Sequence, residues 1–250
     1  MKKNNLVSII TPSYKSVKFI KETIDSVLVQ TYTNWEMIVV DDCSPDDSNE
    51  LIENYILKDS RIKFIKLEKN SGPAVARNRA IEEAVGRYIA FLDADDLWMP
   101  QKLEKQISFM NEQKCALSYT SYYVISEDNE ELGLFTTKEQ INYSDLLKTN
   151  SIGCLTAIYD TDILGKVLMP NIIKKQDYAL WLKILKQIDY AKGIVEPLAY
   201  YRIVENSVSS NKMVGIKYIW EIFREVEKLN IFKSMYYFSY YVYYGMKKYK

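Results

Sequence analysis

Two hydrophobic periods alternate along the first hundred residues. Short apolar runs of strand length lie at 6–10, 35–40, 62–67 and 88–92, and runs of this length and β-branching are typical of buried strands. Between them, residues 17–30, 48–58 and 73–85 carry apolar positions at helical spacing. Strands that alternate with helices predict an α/β fold, in which a parallel sheet has helices on both faces.

The pattern is less regular after Pro100. It predicts a helix over 100–113, a strand over 116–126 with an acidic hairpin turn at 127–131, a strand over 154–159, a helix over 177–188 and a strand over 191–204. In the helix over 177–188, Trp181 shares the apolar face, which predicts a core position for it. Residues 212–250 are predicted as helix with a break near Asn230.

Composition excludes several classes of site. The 250 residues include 33 Lys and Arg against 33 Asp and Glu, and a net charge of +0 offers no overall basic surface to nucleic acid. There is no histidine, which excludes Ser-His-Asp and Cys-His catalysis as well as zinc sites that need His. Neither GxGxxG nor GxxxxGK[ST] occurs, so the two commonest phosphate-binding loops are missing.

Cysteine spacing and hydropathy bear on location. Cys43, Cys115 and Cys154 are too far apart for a CxxC pair, and their odd number argues against a disulfide framework. No apolar run approaches the ~20 residues that span a bilayer, and the apolar stretch near the start is too short for a signal peptide. These features predict a cytoplasmic protein, either soluble or at a membrane surface.

Polar segments follow four of the predicted strands directly. They lie at 11–14, 41–42, 70–72 and 93–96, and the carboxyl ends of parallel strands share one edge of a sheet. Two of the segments are rich in Asp, and gathered carboxylates repel unless a cation or hydrogen-bond donors compensate. Because Mg²⁺ and Mn²⁺ are typically held by one or two carboxylates plus substrate phosphates, this edge predicts a divalent metal site.

Structural roles remain open for several of these residues. Residues 93–96 would cap the next helix, except that Pro100 suits a first helical position and leaves the aspartates three or more residues too early. Asp41 and Asp42 alone are typical of a turn, and they gain interest from sharing an edge with the second cluster. Arg77 is one turn into a helix, where it either binds an anion or forms a surface salt bridge.

A resemblance to a known family rests on four segments in order: VSIITPSY, QTYTNWEMIVVDDCSPDDS, NSGPAVARNRAI and GRYIAFLDADDLWMP. Over roughly 6–115 they resemble the N-terminal half of family 2 glycosyltransferases, the inverting enzymes of GT-A fold. A weaker match at 176–182 is similar to the acidic motif of that family with its downstream Trp. Four blocks in order are far more specific than any one of them alone.

The resemblance implies a domain organisation. The GT-A fold is a Rossmann-like, mostly parallel sheet flanked by helices, and residues 1–210 would form it. Residues 1–115 would be the half that binds the nucleotide-sugar, and 116–210 the half that binds the acceptor. Residues 211–250 would be a C-terminal helical tail.

The resemblance also implies roles for residues near the nucleotide. Pro12 and Tyr14 would line the nucleobase pocket. Asp42 would accept a hydrogen bond from the base, typically uracil, and Arg77 would lie near the base or the diphosphate.

Three further aspartates would carry the chemistry. Asp93 would lie near the ribose, Asp95 would bind Mn²⁺ or Mg²⁺ directly, and Asp177 matches the catalytic base. The family often has Glu-Asp at this last position, where this chain has Gln176 and Asp177. A metal would stabilise the charge on the departing diphosphate, and an acceptor hydroxyl must give its proton to a carboxylate because no His is present. The alternative for Asp177 is the N-cap of helix 178–188.

Other contacts to the sugar or the acceptor are weaker predictions. Trp98 follows the aspartate cluster and is a candidate for stacking on the sugar, and Gln176 precedes the predicted base. Arg202, together with the serines in 207–209, resembles the family's loop that closes over the diphosphate.

The tail has its own composition. Residues 231–250 contain 7 Tyr, 4 Lys and no acidic residue. Tyr suits the membrane interface and Lys suits anionic headgroups, which predicts an interfacial helix. The alternative is a Tyr-rich helix that packs on the catalytic domain or in a homodimer.

We therefore expect an inverting glycosyltransferase that moves a sugar from a nucleotide-diphosphate donor, a UDP-sugar, to a hydroxyl of a glycan or lipid-linked acceptor. Its setting would be surface polysaccharide synthesis at the inner face of the cell membrane, with no nucleic-acid partner. One alternative is a nucleotidyltransferase acting on sugar phosphates, which would usually show a glycine-rich basic loop where this chain has 11–16. The other is a non-catalytic sugar-binding domain, which would need no base.

Overall fold

The computed structural model describes residues 5–204 and 212–247. Its first half has the predicted alternation, with β1 (Val7–Ser13), α1 (Ile20–Leu28), β2 (Trp35–Asp41), α2 (Ser48–Ile56), β3 (Ile62–Lys66), α3 (Pro73–Glu83) and β4 (Tyr88–Phe91) in order. The strands lie side by side as β3-β2-β1-β4, and all neighbouring pairs are parallel. Their carboxyl ends consequently meet at one edge.

The second half extends the same sheet. It contains β5 (Leu97–Trp98), α4 (Lys102–Gln113), β6 (Leu117–Ile125), β7 (Glu131–Phe135), β8 (Gln140–Ile141), α5 (Tyr143–Lys148), β9 (Ile158–Asp160), α6 (Thr161–Leu164), α7 (Gln176–Leu185) and β10 (Ala191–Arg202). Strand β9 lies between β4 and β6 and is antiparallel to both. Strand β6 thus runs in the direction of β4 and ends at the same edge, with β10 parallel beside it.

Several predictions for this half need correction. Strands β5, β7, β8 and β9 are antiparallel to their neighbours, so the sheet is parallel in its first half and mixed in its second. Where a strand over 154–159 was expected, a short 3₁₀ turn over Cys154–Thr156 leads into β9. Helix α4 begins at Lys102 after Gln101 as its N-cap, so Pro100 is not a first helical residue.

The core lies on both faces of the sheet, because successive strand residues point to opposite sides. Ile9 belongs to the cluster that α1, α2 and α4 cover, and Ile10 belongs to the one beneath α3, α5 and α7. Trp181 is fully buried in the second cluster, edge-on to Phe91 with 5.4 Å between ring centroids. This confirms its predicted place in the core.

The tail packs on the sheet domain. It consists of α8 (Lys212–Glu221), a π-helical turn over Ile222–Val226 and α9 (Ile231–Lys247), so the predicted break near Asn230 is confirmed. Buried Glu227 accepts a hydrogen bond from the Tyr143 hydroxyl and pairs with Lys186 at 2.6 Å. Across 5–204 and 212–247, none of the helices has both the length and the apolar character of a bilayer span.

Candidate active site

The loops after the first strands of the sheet come together. The Asp42 N–H donates to the Ser13 carbonyl at 2.8 Å, and the Lys15 N–H donates to Ser44 Oγ at 3.0 Å. Because β4 lies directly beside β1, the loop over 93–96 opens at the same edge. The structure thus brings the Asp-rich segments together where parallel strands end.

Asp42 is held at the start of α3. Its two carboxylate oxygens accept the backbone N–H groups of Ser71 and Gly72, each at 2.7 Å. Gly72 has φ +90°, a value that glycine adopts without strain. Each oxygen keeps a second lone pair, so the predicted bond from a nucleobase remains compatible with these contacts. Nearby, Pro12 is partly exposed and Tyr14 is exposed.

Arg77 and Asp93 form an ion pair across this edge. Arg77 NH2 lies 2.5 Å from Asp93 Oδ1, and the arginine is buried, which excludes the surface salt bridge left open above. Burial lowers the pKa of Arg77, but the charges of Asp93, Cys154 and Asp177 and the hydrogen bond to Asp93 together outweigh it, and the net shift is upward. Within the described residues the Arg77 Nε–H has no hydrogen-bond partner. The positive charge of this guanidinium would attract an anionic ligand at the same edge.

The aspartates of the 93–96 loop differ in their partners. Asp93 pairs with Arg77, and the buried Asp96 accepts the Arg202 backbone N–H at 2.9 Å. Asp95 is partly buried, and no other residue of the described ranges donates a hydrogen bond to its carboxylate. Burial, and next the charge of Asp93, raise the pKa of Asp95 to about 6.

These carboxylates fit a metal site in which the substrate supplies the remaining ligands. Among the residues the structure describes, no three Asp, Glu, His or Cys side chains are grouped as a ready-made metal site. Mg²⁺ and Mn²⁺ need fewer protein ligands, since phosphates and water fill the remaining positions. Asp95 has the carboxylate chemistry these ions prefer, and among the described residues only its own backbone N–H donates to that carboxylate.

Asp177 lies in the first turn of α7. The N-cap of that helix is Lys175, so the capping alternative for Asp177 is wrong. Within the described ranges its carboxylate accepts no hydrogen bond, and its charge contributes to the raised pKa of Arg77. The charge of the predicted base therefore acts on the buried Arg77 guanidinium, although 84 residues separate Asp93 from Asp177 in the sequence.

Cys154 belongs to the same cluster and was not predicted as part of it. Burial raises the pKa of its thiol well above the usual value, Asp93 and Asp177 raise it further, and Arg77 opposes them. The residue stands at the start of the 3₁₀ turn before β9. Nothing in the local sequence indicates this position, because it depends on how that turn packs against β4.

The structure gives Trp98 and Gln176 different surroundings from those predicted. Trp98 pairs with Ala199 of β10, is buried, and donates its indole N–H to the Leu155 carbonyl at 2.8 Å. Its ring therefore has no face open for stacking on a sugar. The Gln176 side-chain amide donates to the carbonyls of Ile172 and Ile173, and so braces the loop before α7.

Arg202 is also occupied by protein groups. All three guanidinium nitrogens donate to oxygens of neighbouring segments, whereas a contact to sugar or diphosphate was expected. The serines of 207–209, predicted to close over the diphosphate with it, lie outside the described residues.

Left-handed backbone marks the rim of the site. Lys15, Cys43 and Lys175 have φ of 52°, 61° and 63°, and each is within two residues of a predicted site residue. Non-glycine residues in this conformation cost free energy and tend to gather at functional sites.

Comparison with known proteins places these features in a family. Residues 8–164 match the model of glycosyl transferase family 2. TuaG of Bacillus subtilis, named for teichuronic acid biosynthesis, is 47% identical over 97% of both chains. WfgD of Escherichia coli, named a UDP-Glc:α-D-GlcNAc-diphosphoundecaprenol β-1,3-glucosyltransferase, is 40% identical over 97% of this chain and 94% of its own.

Solved structures agree on the fold. Staphylococcus aureus TarS 1–349 in complex with UDP-GlcNAc matches with a TM-score of 0.75 and 26% identity, covering 90% of this chain and 66% of that one. A mannosyltransferase from Pyrobaculum calidifontis, in complex with GDP-Man and Mn²⁺, matches with a TM-score of 0.71 at 16% identity. The second match concerns the fold alone. The chain spans about two thirds of the TarS fragment.

Proposed function

This chain belongs to glycosyl transferase family 2, and we propose that it transfers a sugar from a UDP-sugar to a hydroxyl of a lipid-linked saccharide, with inversion at the anomeric carbon. The observation that carries the proposal is the Arg77–Asp93 pair and Asp95 at one sheet edge, with the charge of Asp177 acting on the same Arg77 guanidinium. The reaction needs an anion site, a metal ligand and a base, and these groups supply all three.

The donor side uses residues of the first half. Pro12, Tyr14 and Asp42 would hold the base, with Asp42 kept in place by its two backbone bonds at the start of α3. Arg77 would bind the diphosphate through guanidinium nitrogens other than Nε, which is buried. Asp93, paired with Arg77, would lie beside the ribose.

Asp95 would hold Mn²⁺ or Mg²⁺ together with the diphosphate. When bound, the ion stabilises the negative charge that develops on the leaving nucleoside diphosphate. Asp95 is suited to this contact because its carboxylate is not bonded by other protein groups in the described ranges.

Asp177 would act as the general base. Its carboxylate has no hydrogen bond to protein in the described part of the chain and is free to accept the proton of the acceptor hydroxyl. Attack from the side opposite the diphosphate gives inversion. A non-catalytic sugar-binding domain would need no general base such as Asp177. A nucleotidyltransferase would usually have a glycine-rich basic loop where this chain has residues 11–16.

The substrate classes rest on relatives. WfgD is named for transfer from UDP-Glc to a diphosphoundecaprenol-linked sugar, and TarS was solved with UDP-GlcNAc. A UDP-linked hexose as donor and a lipid-linked saccharide as acceptor fit both, in surface polysaccharide synthesis at the cytoplasmic face of the membrane.

The experiment is a thermal-shift screen with UDP-glucose, UDP-GlcNAc and GDP-mannose, each with and without Mn²⁺. A ligand that binds the folded state raises its melting temperature, and we expect a UDP-sugar to do so in a Mn²⁺-dependent way. Asp95→Ala should abolish the Mn²⁺ dependence, whereas Asp189→Ala, which alters an exposed aspartate, should keep it. Equal shifts with and without Mn²⁺ in the parent protein would remove the metal assignment.

The outer face of α9 is the proposed membrane contact. Tyr237, Phe238 and Tyr241 pack on the core, whereas Phe232, Met235 and Tyr236 are exposed on the other side. Because residues 231–250 carry Lys but no Asp or Glu, this face complements an anionic bilayer.

Vesicle sedimentation tests this contact. Substituting Phe232 and Met235 together by Glu should abolish co-sedimentation with vesicles that contain anionic lipid. Leu57→Glu is the matched control, because Leu57 is 86% exposed on the end of another helix, as Phe232 is 80% exposed on α9. Unchanged sedimentation of the double variant, or a change in its oligomeric state instead, would refute the contact.

A further inference from the structure

Arg202 binds two consecutive residues of the Asp-rich loop. Its backbone N–H donates to Asp96 Oδ1 at 2.9 Å, and its Nε–H donates to the Asp95 carbonyl at 2.8 Å. The arginine side chain is 0% exposed. The last residue of β10 thus fixes both the backbone and one carboxylate of a loop more than a hundred positions away in sequence.

The rest of the guanidinium joins this loop to two other elements. NH1 donates to Asn129 Oδ1 at 2.8 Å and to the Glu127 carbonyl at 3.1 Å, both in the turn between β6 and β7. NH2 lies 2.8 Å from Glu22 Oε2 on α1. The guanidinium also lies over the Phe19 ring, 4.7 Å from its centroid. Arg202 therefore connects β10, α1, the β6–β7 turn and the 93–96 loop.

These contacts leave the arginine little capacity for a ligand. A guanidinium has five N–H donors, and Arg202 uses donors on each of its three nitrogens for protein oxygens. To reach a diphosphate it would have to give up buried, charge-assisted hydrogen bonds, which are among the stronger polar contacts in proteins. Its role is therefore better sought in the loop it holds.

The loop needs such a restraint. Between the end of β4 and the start of β5, only five residues separate Phe91 from Leu97, and three of them are aspartates. Carboxylates this close repel one another. Thr23 Oγ1 of α1 also contacts the loop, 3.0 Å from the carbonyls of Ala94 and Asp96, but it adds no positive charge.

We infer that Arg202 is a positioning residue for the metal ligand: it ties the Asp95 backbone and the Asp96 carboxylate into the protein, which leaves the Asp95 carboxylate as the one in this loop to which no other described residue donates. The inference rests on the proposed function for the role of Asp95. Arg202 would then act on the donor substrate through Asp95, and not through the direct contact expected from the sequence.

The test compares Arg202→Lys and Arg202→Gln with the parent protein. Hydrogen–deuterium exchange of the peptide over 93–97 should become faster in the Gln variant. Its affinity for UDP in the presence of Mn²⁺, measured by calorimetry, should fall about tenfold, and the KM for the donor should rise more than kcat falls. Lys keeps the charge but not the three-way geometry, so it should recover only part of each change.

Arg87→Gln is the matched control. Arg87 precedes the other end of β4 and binds Asp160 through Nε and NH2, so its loss should cost stability without changing Mn²⁺·UDP affinity or exchange at 93–97. If Arg202→Gln does not fold, Glu22→Gln removes one anchor of the same guanidinium and should give smaller changes in the same direction.

Two results would overturn the inference: parent-like exchange at 93–97 and parent-like Mn²⁺·UDP affinity in the folded variants, or an equal loss in Arg87→Gln. Failure of the proposed function is separate from both. If Asp95→Ala left UDP binding independent of Mn²⁺, the metal assignment would fall, whereas the exchange at 93–97 would still decide whether Arg202 holds the loop.

Discussion

The two ends of strand β4 each carry an arginine–aspartate pair, and the pairs are built differently. At the amino end, Arg87 donates from Nε and NH2 to Asp160, with distances of 3.0 and 2.7 Å to one carboxylate oxygen. At the carboxyl end, Arg77 gives Asp93 one bond from NH2, and its Nε–H has no partner among the described residues. Arginine and aspartate thus form a two-bond pair at the amino end of β4 and a one-bond pair at its carboxyl end.

The Arg87–Asp160 pair stabilises the fold, whereas the residues at the Arg77–Asp93 end are arranged to bind a ligand. Asp160 also accepts the Asp162 N–H at the start of α6, so the amino end is a complete hydrogen-bond network. At the carboxyl end, Asp95 and Asp177 likewise accept no hydrogen bond from another residue of the described ranges. Buried polar groups are normally paired, and their incomplete pairing at this edge is what a site for diphosphate, metal and acceptor requires.

The largest effect should come from the carboxyl end. We expect Asp177→Asn to reduce sugar transfer by about 10²–10⁴-fold, because the amide cannot accept the proton of the acceptor hydroxyl. Donor binding should be retained, since Asp177 is not among the groups proposed to hold the nucleotide. Transfer rates and UDP-sugar calorimetry on the same preparation measure the two quantities.

The control for this variant is Asp189→Asn, an exposed aspartate after α7, which should keep parent-like transfer. Turnover of Asp177→Asn at the parent rate would show that another group takes the proton. Asp177 would then not be the general base.

Exchanging the two arginines for Gln should give opposite phenotypes. Arg87→Gln leaves Asp160, whose side chain is 2% exposed, as a buried unpaired charge, which costs about 3 kcal/mol of unfolding free energy. Arg77→Gln should cost less, because Asp93 is more exposed, at 27%, but it should weaken donor binding at least tenfold. Denaturant unfolding and calorimetry separate these outcomes, and equal stability losses with equal donor binding would contradict the comparison.

How much of this was predictable from sequence differs between the halves of the chain. Asp42, Asp93 and Asp95 could be placed at one edge because strand–helix alternation forces parallel strands to end together. The pairing of Arg77 with Asp93 could not be predicted, since it depends on how α3 packs on β1 and β2, next to which β4 lies. Periodicity indicates elements and faces, but not which side chains meet between them.

In the second half, long-range pairing decides positions that local patterns cannot. Trp98 was expected in the sugar pocket, but the two-residue strand β5 pairs with β10, about a hundred residues later, and this buries the ring. Arg202 was expected at the donor and is instead held by Asp95, Asp96 and Glu22 for the same reason. Strands of two or three residues carry too little periodicity to be predicted.

A pH-dependent stability difference should distinguish Asp95. Burial and then Asp93 raise its pKa to about 6, so the folded state holds the proton more tightly than the unfolded chain, where an Asp has a pKa near 3.9. The parent protein without metal should therefore lose stability as pH rises from about 4 to 6. Asp95→Asn cannot ionise and should be more stable than the parent by about 3 kcal/mol at pH 7.5, since each pKa unit corresponds to about 1.4 kcal/mol.

The two proteins should converge near pH 3, about one unit below the unfolded pKa, where the parent carboxyl is protonated in both states. Saturating Mn²⁺ and UDP should stabilise the parent alone and reverse the order at pH 7.5. A constant difference from pH 4 to 8 would contradict the assigned burial of this carboxylate. Thermal unfolding across this pH range measures both trends.

The smallest effect concerns the strained rim of the carboxyl edge. Cys43 is exposed and has φ of 61°, a left-handed conformation that costs a residue with a Cβ about 1 kcal/mol and costs Gly almost nothing. At an ordinary position Ala is more stable than Gly, because Gly loses more backbone entropy on folding. We expect the reverse here, with Cys43→Gly more stable than Cys43→Ala by about 0.5 kcal/mol once that entropy is subtracted. The midpoints of denaturant unfolding of Cys43→Gly and Cys43→Ala measure this difference. A more stable Ala variant would mean that the backbone at Cys43 is not strained.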